Sequence, residues 1–109
     1  MEHYRKAAQE GYIQAAAGIR RKTLIHGENT LMTEFLLAAG AALPMHSHPQ
    51  EQTGYLVSGH ITITIGENEY DVLPGDAWVV PGNVTHGARI LADSVAVEVF
   101  SPVRGDYLP

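Results

Sequence analysis

The fold class that this sequence predicts is an all-β sandwich or barrel. Segments of four to eight residues with strand character recur along the chain, and turns rich in Gly, Pro and Asn separate them. No segment has the length and the period of a convincing long helix. Many short strands joined by tight turns are typical of sandwiches and barrels, but their order alone does not distinguish a jelly roll from other small barrels.

The first elements are an N-terminal arm and a hairpin. We assign residues 1–18 to the arm, which is either a short helical turn or extended, because its alanines favour helix while the segment is short and flanked by glycine. Ile19 to Ile25 and Thr30 to Ala38 form the predicted hairpin, with a turn at residues 26–29. A chain of 109 residues fits one domain, which we place at residues 19–109.

The strongest alternation follows in the middle of the chain. Residues 60–65 place isoleucines on one face and polar residues on the other, and the preceding strand, 52–57, ends at Ser58-Gly59. Later strands are predicted at residues 70–73, 77–80, 87–92 and 94–101.

Composition excludes several classes of function. A formal net charge of −5 argues against nucleic acid or an anionic membrane as a general partner. The absence of cysteine removes disulfides, thiolate nucleophiles and thiolate metal ligands. No stretch approaches the ~18 apolar residues of a membrane span, and the polar start is not followed by an apolar secretory segment. We therefore predict a cytoplasmic protein.

Three histidines form a candidate metal site. His46 and His48 are two residues apart, so in an extended strand their imidazoles project from the same face, and Gln52 has the same parity. His86 follows 38 residues after His48. Such a nitrogen-rich set suits one divalent transition metal: Mn, Fe, Co, Ni, Cu or Zn. Glu51 is an alternative fourth ligand, although its parity is wrong for that face.

The spacing around these histidines resembles the first cupin motif. Gly40, five residues, His46-x-His48, three residues, Gln52, six residues and Gly59 follow that motif throughout. Gln52 departs from it, because the family usually has Glu at this position. A neutral amide leaves a bound divalent ion with its full formal charge, which favours an anionic oxygen ligand.

A stretch that begins about 15 residues later resembles the second cupin motif. Gly75, five residues, Pro81 and then His86 keep its spacing, whereas Gly82 stands one place early and Ile90 replaces the closing Asn. The resemblance covers roughly residues 19–101. It implies a double-stranded β-helix, or jelly-roll barrel, with the metal inside one mouth and one or two coordination positions left open.

Within the family, two stretches resemble the pectin-degradation (KdgF-like) cupins. These are residues 46–59, which include the Gln at the ligand position, and residues 98–108. Members of this subfamily convert 4,5-unsaturated monouronates into the linear keto form. The resemblance implies that Glu98, Phe100 and Arg104 line the pocket beside the metal, although the acidic residue is commonly Asp.

The resemblance assigns each of these residues a role in catalysis. Glu98 would transfer a proton, Arg104 would pair with the substrate carboxylate, and Phe100 would stack on the sugar ring or narrow the pocket. The alternation of residues 94–101 agrees, because Glu98 and Phe100 share a face opposite three valines. Arg89 and Arg104 carry the only fixed positive charges after Lys22, so one of them is expected to meet an anionic ligand. Tyr55 is a possible second proton donor.

Two other functions fit the same resemblance. An oxygen-using cupin could hold iron or copper on these ligands, and a small cupin without catalytic activity could sense or bind a sugar. We expect a small anionic substrate and a homodimer, since an open barrel leaves edge strands to be covered and the N-terminal segment can reach a neighbour.

Overall fold

Residues 1–108, which the computed structural model describes, form eight strands and one short 3-10 helix at Gly105–Tyr107. The strands are β1 (Ile13–Ala16), β2 (Ile19–His26), β3 (Leu31–Leu37), β4 (Ala42–His46), β5 (Glu51–Ile65), β6 (Asn68–Val72), β7 (Ala77–Val80) and β8 (His86–Ser101). The predicted domain extends to residue 109, one position beyond the described residues.

All strand pairs are antiparallel, and the two longest strands organise the fold. The sheet runs β1-β2-β3-β8-β5-β6, with β4 paired to β8 and β7 paired to β5. The first part of β8 pairs with β4 and its later part with β3, while β5 pairs first with β7 and then with β6. Each long strand therefore joins two sets of partners, which gives the all-β barrel that the sequence predicts.

The predicted strand break at Ser58-Gly59 is wrong, because β5 continues through it for 15 residues. The break is a bulge: the register with β8 shifts between Leu56 and Ile61, and Gly59 has a φ of 100°. The Ser94 hydroxyl accepts a hydrogen bond from the backbone nitrogen of His60 at 3.0 Å. Strand β8 likewise runs 16 residues without the predicted interruption after Ala92. A bulge bends a strand without ending it, so a glycine signal can mark either feature.

The inward faces of β3, β5 and β8 form the core. In β3 every second residue from Leu31 to Leu37 is buried, and Ile61 and Ile63 of β5 are buried as their alternation predicts. Several of these side chains line a cavity, together with residues at the start of β8 and Tyr107 of the C-terminal 3-10 helix. Its walls are mostly apolar, and the polar side chains on its lining include candidate site residues.

The N-terminal arm, residues 1–18 of the described chain, forms no helix, and its last part is extended, which agrees with one of the two predicted alternatives. Its residues 13–16 form β1, which pairs with β2, and the Lys22 ammonium donates a hydrogen bond to the Ala8 carbonyl at 2.8 Å. Within the described residues, no helix has the length and apolarity required to span a membrane.

Candidate metal centre

Three histidines lie close together, and two of them, His46 and His86, line the cavity. His46 is the last residue of β4, His48 lies in the following loop and His86 is the first residue of β8. One potential ligand atom from each lies within 4.8 Å of the other two, a spacing compatible with one metal ion. His46 and His86 are also direct cross-strand partners, so the register of β4 on β8 brings together residues that are 40 positions apart.

Backbone carbonyls orient all three imidazoles in the same way. The Nδ1 atoms of His46, His48 and His86 lie 2.9, 3.0 and 2.9 Å from the carbonyl oxygens of Pro44, Gln50 and Val84. A carbonyl only accepts hydrogen bonds, so each Nδ1 carries the proton and each neutral ring keeps its lone pair on Nε2. Metal-bound histidines in proteins commonly donate the N–H of the other ring nitrogen to a carbonyl or carboxylate in this way, which fixes the ring orientation.

Gln52 offers a fourth donor atom, an amide oxygen, next to the three histidine nitrogens. Its Oε1 lies 2.7 Å from His48 Nε2, and its amide nitrogen donates to Glu98 Oε1 at 2.9 Å. With a neutral His48, two lone pairs would face each other, and burial lowers the pKa of this histidine. A cation bound to both atoms would resolve that conflict. The donor set therefore fits a divalent transition metal.

The prediction that His46, His48 and Gln52 share one face of an extended strand is wrong in part. Strand β4 ends at His46 and the chain turns before β5 begins at Glu51, so one extended strand does not connect His46 to Gln52. Gln52 nevertheless lines the same cavity as His46. Gln52 is 4% exposed, whereas Glu51 is exposed, which favours Gln52 over Glu51 as the fourth ligand.

Glu98 is a buried carboxyl group beside this cluster. Its side chain lines the cavity, and Gln52 Nε2 and Trp78 Nε1 both donate to its Oε1, at 2.9 and 3.0 Å. Burial raises the pKa of Glu98 to about 7, and the two hydrogen bonds counteract that rise only in part. An acid with such a pKa exchanges protons readily near neutral pH.

Arg104 and Phe100 line the same cavity. The Arg104 guanidinium lies over the Phe100 and Tyr107 rings, 5.0 and 4.0 Å from their centroids, and binds Asp106 through Nε and Nη2. Phe100 is 1% exposed and packs against the His48 ring in a T-shaped arrangement, so its ring contacts both a candidate ligand and Arg104.

Two other sequence candidates lie outside the cavity. Arg89 is exposed and paired with Glu69 at 2.7 Å. Of the two arginines predicted to meet an anion, Arg104 is therefore the one at the site. Tyr55, considered as a proton donor, points outward from β5 and is exposed.

Trp78 and Tyr107 are cavity residues that the sequence does not indicate. Trp78 alternates with the exposed residues of β7, a signal for an inward side chain but not for its contact with Glu98. Tyr107 follows the last strand in the 3-10 helix, where no periodicity exists to orient it. Its ring packs against Phe100 in a T-shaped arrangement, with the ring centroids 5.2 Å apart.

Comparison with known proteins identifies the fold and the relatives. The family model described as "Cupin domain" matches residues 33–102. The "Pectin degradation protein KdgF" of Dickeya dadantii is 31% identical over 93 residues, 84% of each chain. The structure of KdgF from Halomonas sp. superposes with a TM-score of 0.87 at 31% identity, covering 92% of this chain and 94% of that one. An RmlC-like cupin from Shewanella frigidimarina superposes with a TM-score of 0.92 at 25% identity, covering 99% and 97%.

Proposed function

Since the chain belongs to the cupin family, and within it to the KdgF-like proteins, we propose that it is a metal-dependent enzyme that converts 4,5-unsaturated monouronates to the linear keto form during the degradation of pectin or related uronates. The observation that carries this proposal is the position of Glu98. A buried acid lies in the same cavity as an arginine and is hydrogen-bonded to a residue of the candidate ligand set.

The reaction needs a proton carrier and no oxidant. The bond between the ring oxygen and C1 breaks, and the C1 hydroxyl loses its proton as C1 becomes an aldehyde. The ring oxygen becomes the carbonyl oxygen at C5, and C4 gains a proton. One carboxyl group that accepts the first proton and delivers the second is sufficient. We assign that role to Glu98.

The remaining residues bind the substrate and the ion. We assign His46, His48, Gln52 and His86 as ligands of one divalent transition metal. When bound, such an ion supplies Lewis-acid polarisation of a substrate oxygen. Arg104 pairs with the substrate carboxylate, and Phe100 narrows the pocket beneath the guanidinium. This arrangement orients the sugar acid with its double bond toward Glu98.

The ultraviolet absorbance of an unsaturated monouronate tests the proposed reaction. Protein loaded with each candidate metal in turn is expected to remove the enol ether absorbance faster than the spontaneous reaction does, equally with and without air. A rate equal to the spontaneous one for every ion would reject the reaction. A requirement for dissolved oxygen would instead indicate an oxygen-using cupin.

Replacement of Arg104 should mainly weaken substrate binding. Asp106 occupies Nε and Nη2, which leaves Nη1 outside that ion pair. We expect Arg104→Ala to raise the apparent KM by a factor that corresponds to roughly 1.5–3 kcal/mol of substrate-binding free energy, the cost of a lost charge-assisted hydrogen bond. Arg104→Lys should restore only part of the loss, because an ammonium lacks the planar fork of a guanidinium.

The matched control is Arg89→Ala, which removes the same charge from an exposed ion pair outside the cavity. Initial rates over a range of substrate concentrations separate KM from kcat for all three variants. If Arg104→Ala and Arg89→Ala give the same KM as the wild type, Arg104 does not bind the carboxylate.

We also propose a homodimer. Tyr55, Val57 and Val79 lie on the outward faces of the neighbouring strands β5 and β7, and each is about half exposed. A second copy covering these apolar side chains would remove them from water. Light scattering at micromolar concentration is expected to give twice the chain mass of 11.8 kDa. A mass of one chain would contradict the prediction.

A further inference from the structure

Four inward-facing residues form one row across four neighbouring strands. Thr33 of β3 pairs with Glu98 of β8, Glu98 pairs with Gly54 of β5, and Gly54 pairs with Trp78 of β7. Trp78 and Glu98 are thus separated by one strand, and at that strand the side chain is missing. The indole nitrogen nevertheless reaches Glu98 Oε1 at 3.0 Å.

Gly54 provides the space that this contact needs. A Cβ atom at position 54 would lie 2.1 Å from Cε2 and 2.4 Å from Nε1 of Trp78, both far inside van der Waals contact. Gly54 is not among the glycines with positive φ, so its backbone does not require glycine. Glycine is needed there because the Trp78 indole occupies the space of a side chain at position 54, between Trp78 and the Glu98 carboxyl group.

We propose that Trp78 is a positioning residue that orients the Glu98 carboxyl group for proton transfer, with Gly54 as the clearance that admits its indole. Both hydrogen bonds to this carboxyl group, from Trp78 and from Gln52, go to Oε1. Oε2 is then the oxygen that exchanges protons with the substrate. The inference rests on the proposed function of Glu98 and adds to it the residue that holds the acid in place.

Two anchors are needed because a glutamate side chain is flexible. A catalytic group must stay within about 0.5 Å of its productive position, and a single hydrogen bond leaves the carboxyl group free to rotate about it. The other anchor, Gln52, also belongs to the candidate ligand set. Trp78 is therefore the anchor that does not depend on the metal.

Trp78→Phe tests this role, because it removes the N–H donor and keeps an aromatic ring over Gly54. We expect kcat to fall about 10- to 100-fold, the scale of a misplaced catalytic group, with little change in KM or metal content. In a Glu98→Gln background the same substitution should have almost no further effect. Tyr70→Phe is the control, since Tyr70 is exposed on β6 outside the cavity.

A spectroscopic measurement tests the contact without any metal or substrate. Trp78 is the one tryptophan of the chain, so the fluorescence of the protein reports on it alone. In metal-free protein, Glu98→Leu should shift the emission to shorter wavelengths, because the indole N–H loses its acceptor. Glu98→Gln, which keeps an acceptor oxygen, should shift it much less. This comparison also decides the case in which Trp78→Phe does not fold.

The outcomes separate the inference from the proposed function. If Glu98→Gln keeps full activity, the proposed role of Glu98 is wrong. If Glu98→Gln loses activity while Trp78→Phe retains its kcat, or while Glu98→Leu leaves the emission unchanged, the positioning role is overturned and the proposed function stands. If Trp78→Phe lowers kcat by the same factor in the wild type and in the Glu98→Gln background, Trp78 has a general structural role and the positioning role is likewise overturned.

Discussion

His48→Ala and His86→Ala are each expected to lose most of the metal that the wild-type chain retains, about one ion per chain. Each substitution removes one of three candidate nitrogen ligands that lie within 4.8 Å of one another. The remaining donors cannot hold the ion well, because removing a ligand deletes a coordinate bond and leaves the others poorly organised. Metal analysis after exhaustive dialysis measures the ion content of each variant.

His60→Ala is the matched control for these two variants. His60 is an imidazole outside the cluster, paired with Asp71 at 2.5 Å on the surface. It should keep the metal content of the wild type, and circular dichroism should show all three variants folded. Unchanged metal content in folded His48→Ala and His86→Ala would remove the metal centre from this cavity.

The spacing of the motifs predicts the histidine cluster even though part of the geometric reasoning behind it fails. His46 and His86 meet through the antiparallel pairing of β4 and β8, a contact between residues 40 positions apart. Local periodicity carries no information about such a register. Family resemblance does, because it implies a fold in which residues at that spacing come together. Counting alternate residues from 46 to 52 assumes one continuous strand, whereas a loop separates β4 from β5.

The supporting residues of the site are harder to predict from the sequence. Trp78 reaches Glu98 only because β5 lies between their strands and carries glycine at the matching position. Three separate segments must be in register before that contact exists, and none of them shows it alone. The backbone carbonyls that orient the histidines pose the same difficulty, since every residue has a carbonyl and the sequence does not show which of them will accept a hydrogen bond. Sequence therefore indicates the histidine cluster better than it indicates the groups that orient the cluster.

Glu98→Gln should retain the fold and the metal and lose activity by about 10²–10⁴-fold, the range typical of a general acid–base group. The substituted amide can present its oxygen to Trp78 Nε1 and Gln52 Nε2, so both hydrogen bonds to this position can persist. Gln52 then keeps its own oxygen toward His48. What the variant lacks is a group that can accept and return a proton. The loss should fall on kcat, with metal content and KM close to wild type.

Glu34→Gln is the matched control for this loss of a carboxylate. Glu34 is a partly buried glutamate on the outward side of β3 and accepts a hydrogen bond from the Tyr12 hydroxyl, yet it does not line the cavity. Its rate on unsaturated galacturonate should equal that of the wild type, with and without air. If Glu98→Gln matches it, proton transfer does not use Glu98. If Glu98→Gln instead loses its metal along with its activity, Glu98 acts by holding Gln52, and the rate loss cannot be assigned to chemistry.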